Sequence, residues 1–264
     1  MTSQETKFYD RYKKYFNINN KIIKLVDRTL HSKIIKHENN PLKMTAVYFV
    51  IKAIKTHMAI LHLCSKGYGE DAAILIRSLL NLIINIFYIA SRDSENRARQ
   101  FIAHAAFAKL ESYNIYSKYP EILDKSKSFD INEIKKEAIE AQNQYGFEFG
   151  KPWSKKTILQ MAKDIDMHSS PKNNNMEKNY DVVYNYLSNF EHSNAISANS
   201  YITDRKKGWD ALTNPTDNLL PETLASDAGY FLTIFEKFCD IFKLDAKKEI
   251  QTLCAELRNL KNNN

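Results

Sequence analysis

The stretch Ala72–Ala90 constrains this chain more than any other, because nearly every position is apolar while Arg77, Asn81 and Asn85 recur at intervals of four. Strands of that length are uncommon, and an interval of four puts the three polar side chains on one stripe of a helix. A helix that is apolar around the rest of its circumference belongs at the centre of a bundle. The stretch approaches membrane-spanning length, but a central Arg is costly in lipid, so we expect a core helix and no membrane partner.

The rest of the chain points the same way. Six Gly and six Pro in 264 residues fall well short of the roughly 18 and 13 of average usage, which argues against many short strands. Asn40-Pro41 reads as a capping residue before a first-turn proline. Asp130 with Glu133 resembles a capping box that opens a helix toward Gly146. Leu220-Pro221 opens another, which carries Phe231, Phe235, Phe238 and Phe242 on one face. Those rings suit either the core or a two-fold interface. The pattern predicts helices over 6–37, 41–66, 70–91, 94–118, 130–145, 154–167, 176–193, 221–244 and 246–261, with polar loops at 147–153, 168–175 and 194–220 and no strand. The fold class is therefore all-α, a multi-helix bundle. Its divisions are a basic N-terminal helix (1–40), a helical core domain (41–245) and a C-terminal helix and tail (246–264).

Hydrophobic residues at 44% and charged residues at 26% exclude a disordered or collagen-like chain. The three cysteines, Cys64, Cys239 and Cys254, lie in apolar contexts without a C-x-x-C pair and read as reduced core thiols. The N-terminus lacks an apolar leader segment, so a cytoplasmic location is expected. A net charge of +7 suits an anionic partner. The first 40 residues hold nine Lys/Arg against four Asp/Glu, a distribution that fits nucleic-acid contact or a solvated helix face, since the lysines are interleaved with acids. No Gly-rich phosphate loop, G-x-S-x-G elbow or H-E-x-x-H pair occurs, and neither a cofactor nor a metal is expected.

Three constellations could carry chemistry. Arg77, with Asn81, must be paired or must face a wet cleft, since an unpaired buried guanidinium costs several kcal/mol. Glu70, Asp71 or helix-end carbonyls are the structural partners to weigh against a ligand. Tyr184, Ser188 and His192 share one helix face and present a phenol, a hydroxyl and an imidazole, suited either to an internal network or to substrate contact. Arg97, Arg99 and His104 form the third. Arg97 and His104, seven apart, share a face, whereas Arg99 and His104 diverge by about 140° on a regular helix and converge only across a helix start, for which Asp93 or Ser94 is the candidate cap. An Arg and a His of this kind could cleave RNA without metal, His taking the 2′-OH proton and Arg steadying phosphate charge. The alternative is a surface Arg and a packed His.

The stretch Ala72–Asn81 through Phe87-Tyr88-Ile89, then Arg99-Gln100-Phe101, then Tyr184-x-x-Leu187-Ser188-x-x-x-His192-Ser193, resembles the bacterial family named domain of unknown function 5677, over roughly residues 45 to 245. The family pattern has Glu where this chain has Asn81, which removes the expected partner of Arg77. The resemblance extends to the HEPN-like helical superfamily, which implies an all-helical dimer and an intracellular, metal-independent RNase of a toxin or phage-defence system, with RNA and an antitoxin or other protein as partners. On that reading Arg97, Arg99, His104 and His192 are catalytic, and Arg77, Asn81, Tyr184 and Ser188 bind substrate. The alternatives are a non-catalytic helical module that recognises a nucleotide or protein, and a structural subunit of a larger assembly.

Overall fold

The computed structural model describes residues 3–32, 39–119, 121, 130–168, 175–205 and 208–262. In chain order the elements are α1 (Ser3–Arg11), α2 (Lys13–Ser32), α3 (Pro41–Ser65), α4 (Gly69–Ser91), α5 (Ser94–Tyr116), α6 (Ile131–Tyr145), α7 (Ile158–His168) and α8 (Met176–Asn179). A π-helical turn, Tyr180–Tyr184, joins α8 to α9 (Asn185–Glu191), and a 3₁₀ turn, Ala195–Ser200, leads into β1 (Ile202–Arg205) and β2 (Gly208–Ala211). Two helices close the chain, α10 (Leu220–Phe242) and α11 (Lys247–Asn262). The fold is an all-α multi-helix bundle.

Helix α4 lies at its centre and packs against α3, α5, α7, α9 and α10. Its Leu79, Leu80, Ile84 and Ile89 are fully buried, each contributing about 1.5–3 kcal/mol by leaving water. By length and composition α3 and α4 could both cross a membrane, but in the bundle the apolar surface of α4 meets other helices. Helices α1, α2 and α11 join the same core through Phe8, Ile22 and Leu257. A smaller cluster of Phe107, Ala138, Ala141 and Phe147 holds α6 on α5.

The local signals work as their chemistry dictates. Asn40 Oδ1 accepts the amide of Lys43 at 2.8 Å, Asp130 caps the amides of Asn132 and Glu133, and Gly146 ends α6 in the left-handed conformation. At the α3–α4 corner Gly69 is obligatory, since a Cβ there would sit 2.2 Å from the Asn218 carbonyl oxygen.

Several expectations are corrected. The helix expected over 6–37 is interrupted at Tyr12, where no Gly or Pro signals a break; its last expected residues, 33–37, fall outside the described residues. The helix expected from 154 starts at Ile158. Thr157 and Gln160 cap each other's backbone amides there at 2.8 and 3.2 Å, a capping box that marks the true start. The segment 176–193 ends at Glu191 and widens into the π turn. The loop 194–220 contains an antiparallel hairpin, with Ile202 opposite Ala211 and Thr203 opposite Asp210. Four-residue strands are too short to display alternation, and Gly208, which opens β2 at φ 137°, is the residue whose backbone favours glycine. Phe231, Phe235 and Phe238 are no more than 1% exposed, so these rings are core and form no interface. Cys64 and Cys239 are buried and Cys254 is half-buried, and none of the three is in a disulfide; burial pushes the Cys64 and Cys254 thiols up.

Candidate functional site

The polar stripe of α4 meets the helix that carries His192. Arg77 Nη2 donates to the Tyr184 hydroxyl at 2.7 Å, and its guanidinium carbon lies 4.2 Å from the Tyr184 ring centroid. Arg77 also forms an ion pair with Glu191. The Arg77 side chain is 17% exposed, so a carboxylate is the partner that such burial requires. Its Nε and the Oδ1 of Asn81 are buried without a hydrogen bond. Asn85 is bonded on both sides, to the Asn81 carbonyl and from the Trp153 indole.

The π turn aims the tyrosines. It adds a residue to the helical circuit, and Tyr180 stacks on Tyr184 at 4.5 Å. Burial, reinforced by Tyr184, raises the Tyr180 phenol above its usual range. Ser188 donates to the Tyr184 carbonyl at 2.7 Å, one turn back along its own helix. His192 caps α9, its ring 69% exposed and its Nε2 3.8 Å from Glu191 Oε2. Arg77, which also holds Tyr184, and His192 thus flank Glu191, a residue that the sequence patterns did not single out. It lies seven positions after Tyr184, on the same helix face, and that spacing was the available signal. Of the structural partners weighed against a ligand, Glu70 accepts from Thr216, and the carboxylate that pairs with Arg77 is Glu191.

The third constellation does not converge. Arg97 is buried, donates to the Tyr88 carbonyl, to Ser91 Oγ at 3.0 Å and to Asp164 at 3.3 Å, and stacks over the Tyr88 ring. Arg99 points to solvent. His104 sits between Phe107 and Phe147, with Nε2 buried and unpartnered. Burial lowers its pKa, opposed by the Glu111 charge and a Lys151 backbone hydrogen bond. Asp93 adopts a left-handed conformation without capping α5 through its side chain, so the helix start does not bring Arg99 onto the face of His104.

Two further carboxylate centres carry no signal in the sequence. Asp164 gathers Arg92, Arg97, Lys156 and His168. Asp227, wholly buried, faces His57, whose Nδ1 is 2.8 Å from Oδ2. Among the described residues, no group of His, Cys, Asp and Glu is placed to hold a metal ion.

No curated protein and no solved structure matches the chain. The family of unknown function DUF5677 matches residues 43–208, which span α3 to the start of β2 and include Arg77, Tyr184, Glu191 and His192. With more than half of its length matched in one continuous block, the chain belongs to the DUF5677 family.

Proposed function

We propose that this protein is an HEPN-like, metal-independent endoribonuclease that works from the Arg77–Tyr184–His192 site. The observation that carries the reading is that a half-buried guanidinium and an exposed imidazole flank one carboxylate, Glu191. A phosphate arriving at Arg77 competes with Glu191, which lies close enough to His192 to turn toward it. His192, as the neutral imidazole, then takes the 2′-OH proton, and Glu191 steadies the imidazolium that this transfer forms. The 2′ oxygen bonds to phosphorus, the bond to the 5′ oxygen breaks and that oxygen takes a proton from solvent, while Arg77 and the Tyr184 hydroxyl steady the phosphoryl oxygens. As in the superfamily it resembles, the protein would work as a two-fold dimer, held in check by an antitoxin or triggered in phage defence.

Incubation with total RNA in EDTA tests the reading. Wild type should leave 2′,3′-cyclic phosphate ends and spare DNA, and His192→Ala should lose about 10²–10⁴ in rate, with His104→Ala near wild type. Loss in His104→Ala alone would return the site to Arg99 and His104. The second reading, a module that binds nucleotide or protein without cleaving, is favoured by one feature: Arg77 and Ser188 already have intramolecular partners. Intact RNA across all classes would select it.

A further inference from the structure

At the far end of α4 from Arg77, cations outnumber anions around Asp164. Arg92 Nη2 contacts both carboxylate oxygens at 2.9 and 3.1 Å, Lys156 Nζ lies at 3.1 Å and Arg97 Nη2 at 3.3 Å. His168 completes the ring, its Nδ1 2.8 Å from the Asp164 carbonyl and its Nε2 3.3 Å from Arg92 Nη1. Three permanent positive charges on one carboxylate leave a surplus of two. The nearby acids bond elsewhere and take no place among these cations: Asp93 accepts from Asn96, and Asp166 caps the amides of Met176 and Glu177.

The cations divide by direction. Arg97, at 10% exposure, is committed inward to Tyr88, Ser91 and Asp164. Arg92 and Lys156, at 47% and 35% exposure, carry more N–H donors than Asp164 and His168 occupy, and both side chains keep contact with water. An oxyanion can therefore add on the solvent side without disturbing the bonds that hold the cluster. The loop carrying Lys156 also bears exposed Lys151 and Lys155, and several cations on one segment suit a chain of phosphates more than a single small anion.

We propose that Arg92 and Lys156, positioned by Asp164 and backed by Arg97, hold a phosphodiester of a single-stranded nucleic acid. This deepens the ribonuclease reading and rests on it for the identity of the strand as RNA. The phosphate contact itself is testable apart from cleavage, because a DNA strand offers the same phosphates without a 2′-OH.

The experiment is fluorescence anisotropy of a labelled oligothymidylate titrated with full-length protein at several salt concentrations. Arg92→Ser with Lys156→Ser, both partly exposed and so tolerable to the fold, should weaken binding by about tenfold or more and flatten the salt dependence by about 0.7 for each phosphate that is no longer neutralised. Lys136→Ser with Lys248→Ser removes the same charge from exposed positions elsewhere and should bind as wild type does. Equal loss in both pairs, no loss in the first pair, or no binding by wild type overturns the proposal. Inorganic phosphate binding as tightly as the strand, per phosphate, also overturns it by making the cluster a free-anion site. Binding that depends on Arg92 and Lys156 in a protein that cleaves no RNA would sustain the phosphate site and end the ribonuclease reading. Cleavage without that dependence would do the reverse.

Discussion

Asp164 and Asp227 are both buried aspartates facing basic side chains, yet they solve burial in opposite ways. Asp164 sits at the edge of the bundle, where burial would raise its pKa but the hydrogen bond and charge of Lys156 and the charge of Arg92 outweigh it and hold the carboxyl below its usual range. Asp227 lies in the middle of α10 beside His57, and burial pushes its carboxyl up despite that imidazole. His57 approaches through one atom pair at 2.8 Å, and the remaining two atoms, Asp227 Oδ1 and His57 Nε2, are buried without a hydrogen bond. An edge position lets several long cations converge while their heads stay wet. A core position admits only what packs, and His57 fits there partly by stacking on Phe231 at 4.4 Å.

The comparison breaks most visibly on deletion. Asp227→Ala strands His57 in the core and should cost about 3–5 kcal/mol in urea unfolding, while replacing both residues by Leu should recover most of that loss. A cost below about 1 kcal/mol for the single variant would mean that the pair is not coupled. Asp164→Ala should cost less, about 1–3 kcal/mol, because Arg92 and Lys156 can rehydrate and only Arg97 is left buried without its carboxylate.

The pH dependence sharpens the contrast. A depressed folded-state pKa means that the stability Asp164 contributes is present above about pH 4, the ordinary aspartate range, and is lost as pH falls through the folded value. A raised folded-state pKa means that the contribution of Asp227 is full below about pH 4 and is lost as pH rises through the folded value. Urea unfolding from pH 2 to 7 should therefore show the acid-side loss reduced in Asp164→Asn and the loss on raising pH reduced in Asp227→Asn. Identical pH profiles in the two variants would erase the distinction.

The smallest effect belongs to the candidate site, which resembles Asp164 in being an edge cluster. Tyr184→Phe removes the hydroxyl from Arg77 but leaves Glu191 and the ring beneath the guanidinium, so a loss of about 1 kcal/mol is expected. A loss several times larger would place Arg77 with the core pairs instead.

Much of the fold was legible because helices are written locally. The apolar circumference of Ala72–Ala90, the Asn40-Pro41 cap and the Asp130 to Gly146 segment each carry their instruction within a few turns, and each produced its helix. The candidate site was half legible. Spacing put Arg77 on one stripe and Tyr184, Ser188 and His192 on another, and the resulting hydrogen bond joins residues 107 positions apart, a distance over which no pattern in the chain speaks.

What the sequence determined by itself was therefore the helical class, the central place of α4 and the need of Arg77 for a partner, since periodicity and the cost of burying charge are properties of single segments. Only the tertiary structure decided that the partner is Glu191 and not Glu70, that Arg97 turns inward to Asp164 while His104 packs among phenylalanines, and that His57 meets Asp227. The physical reason is that a carboxylate attracts every cation equally on paper, and the packing of α4 against α7, α9 and α10 alone determines which of them comes within reach.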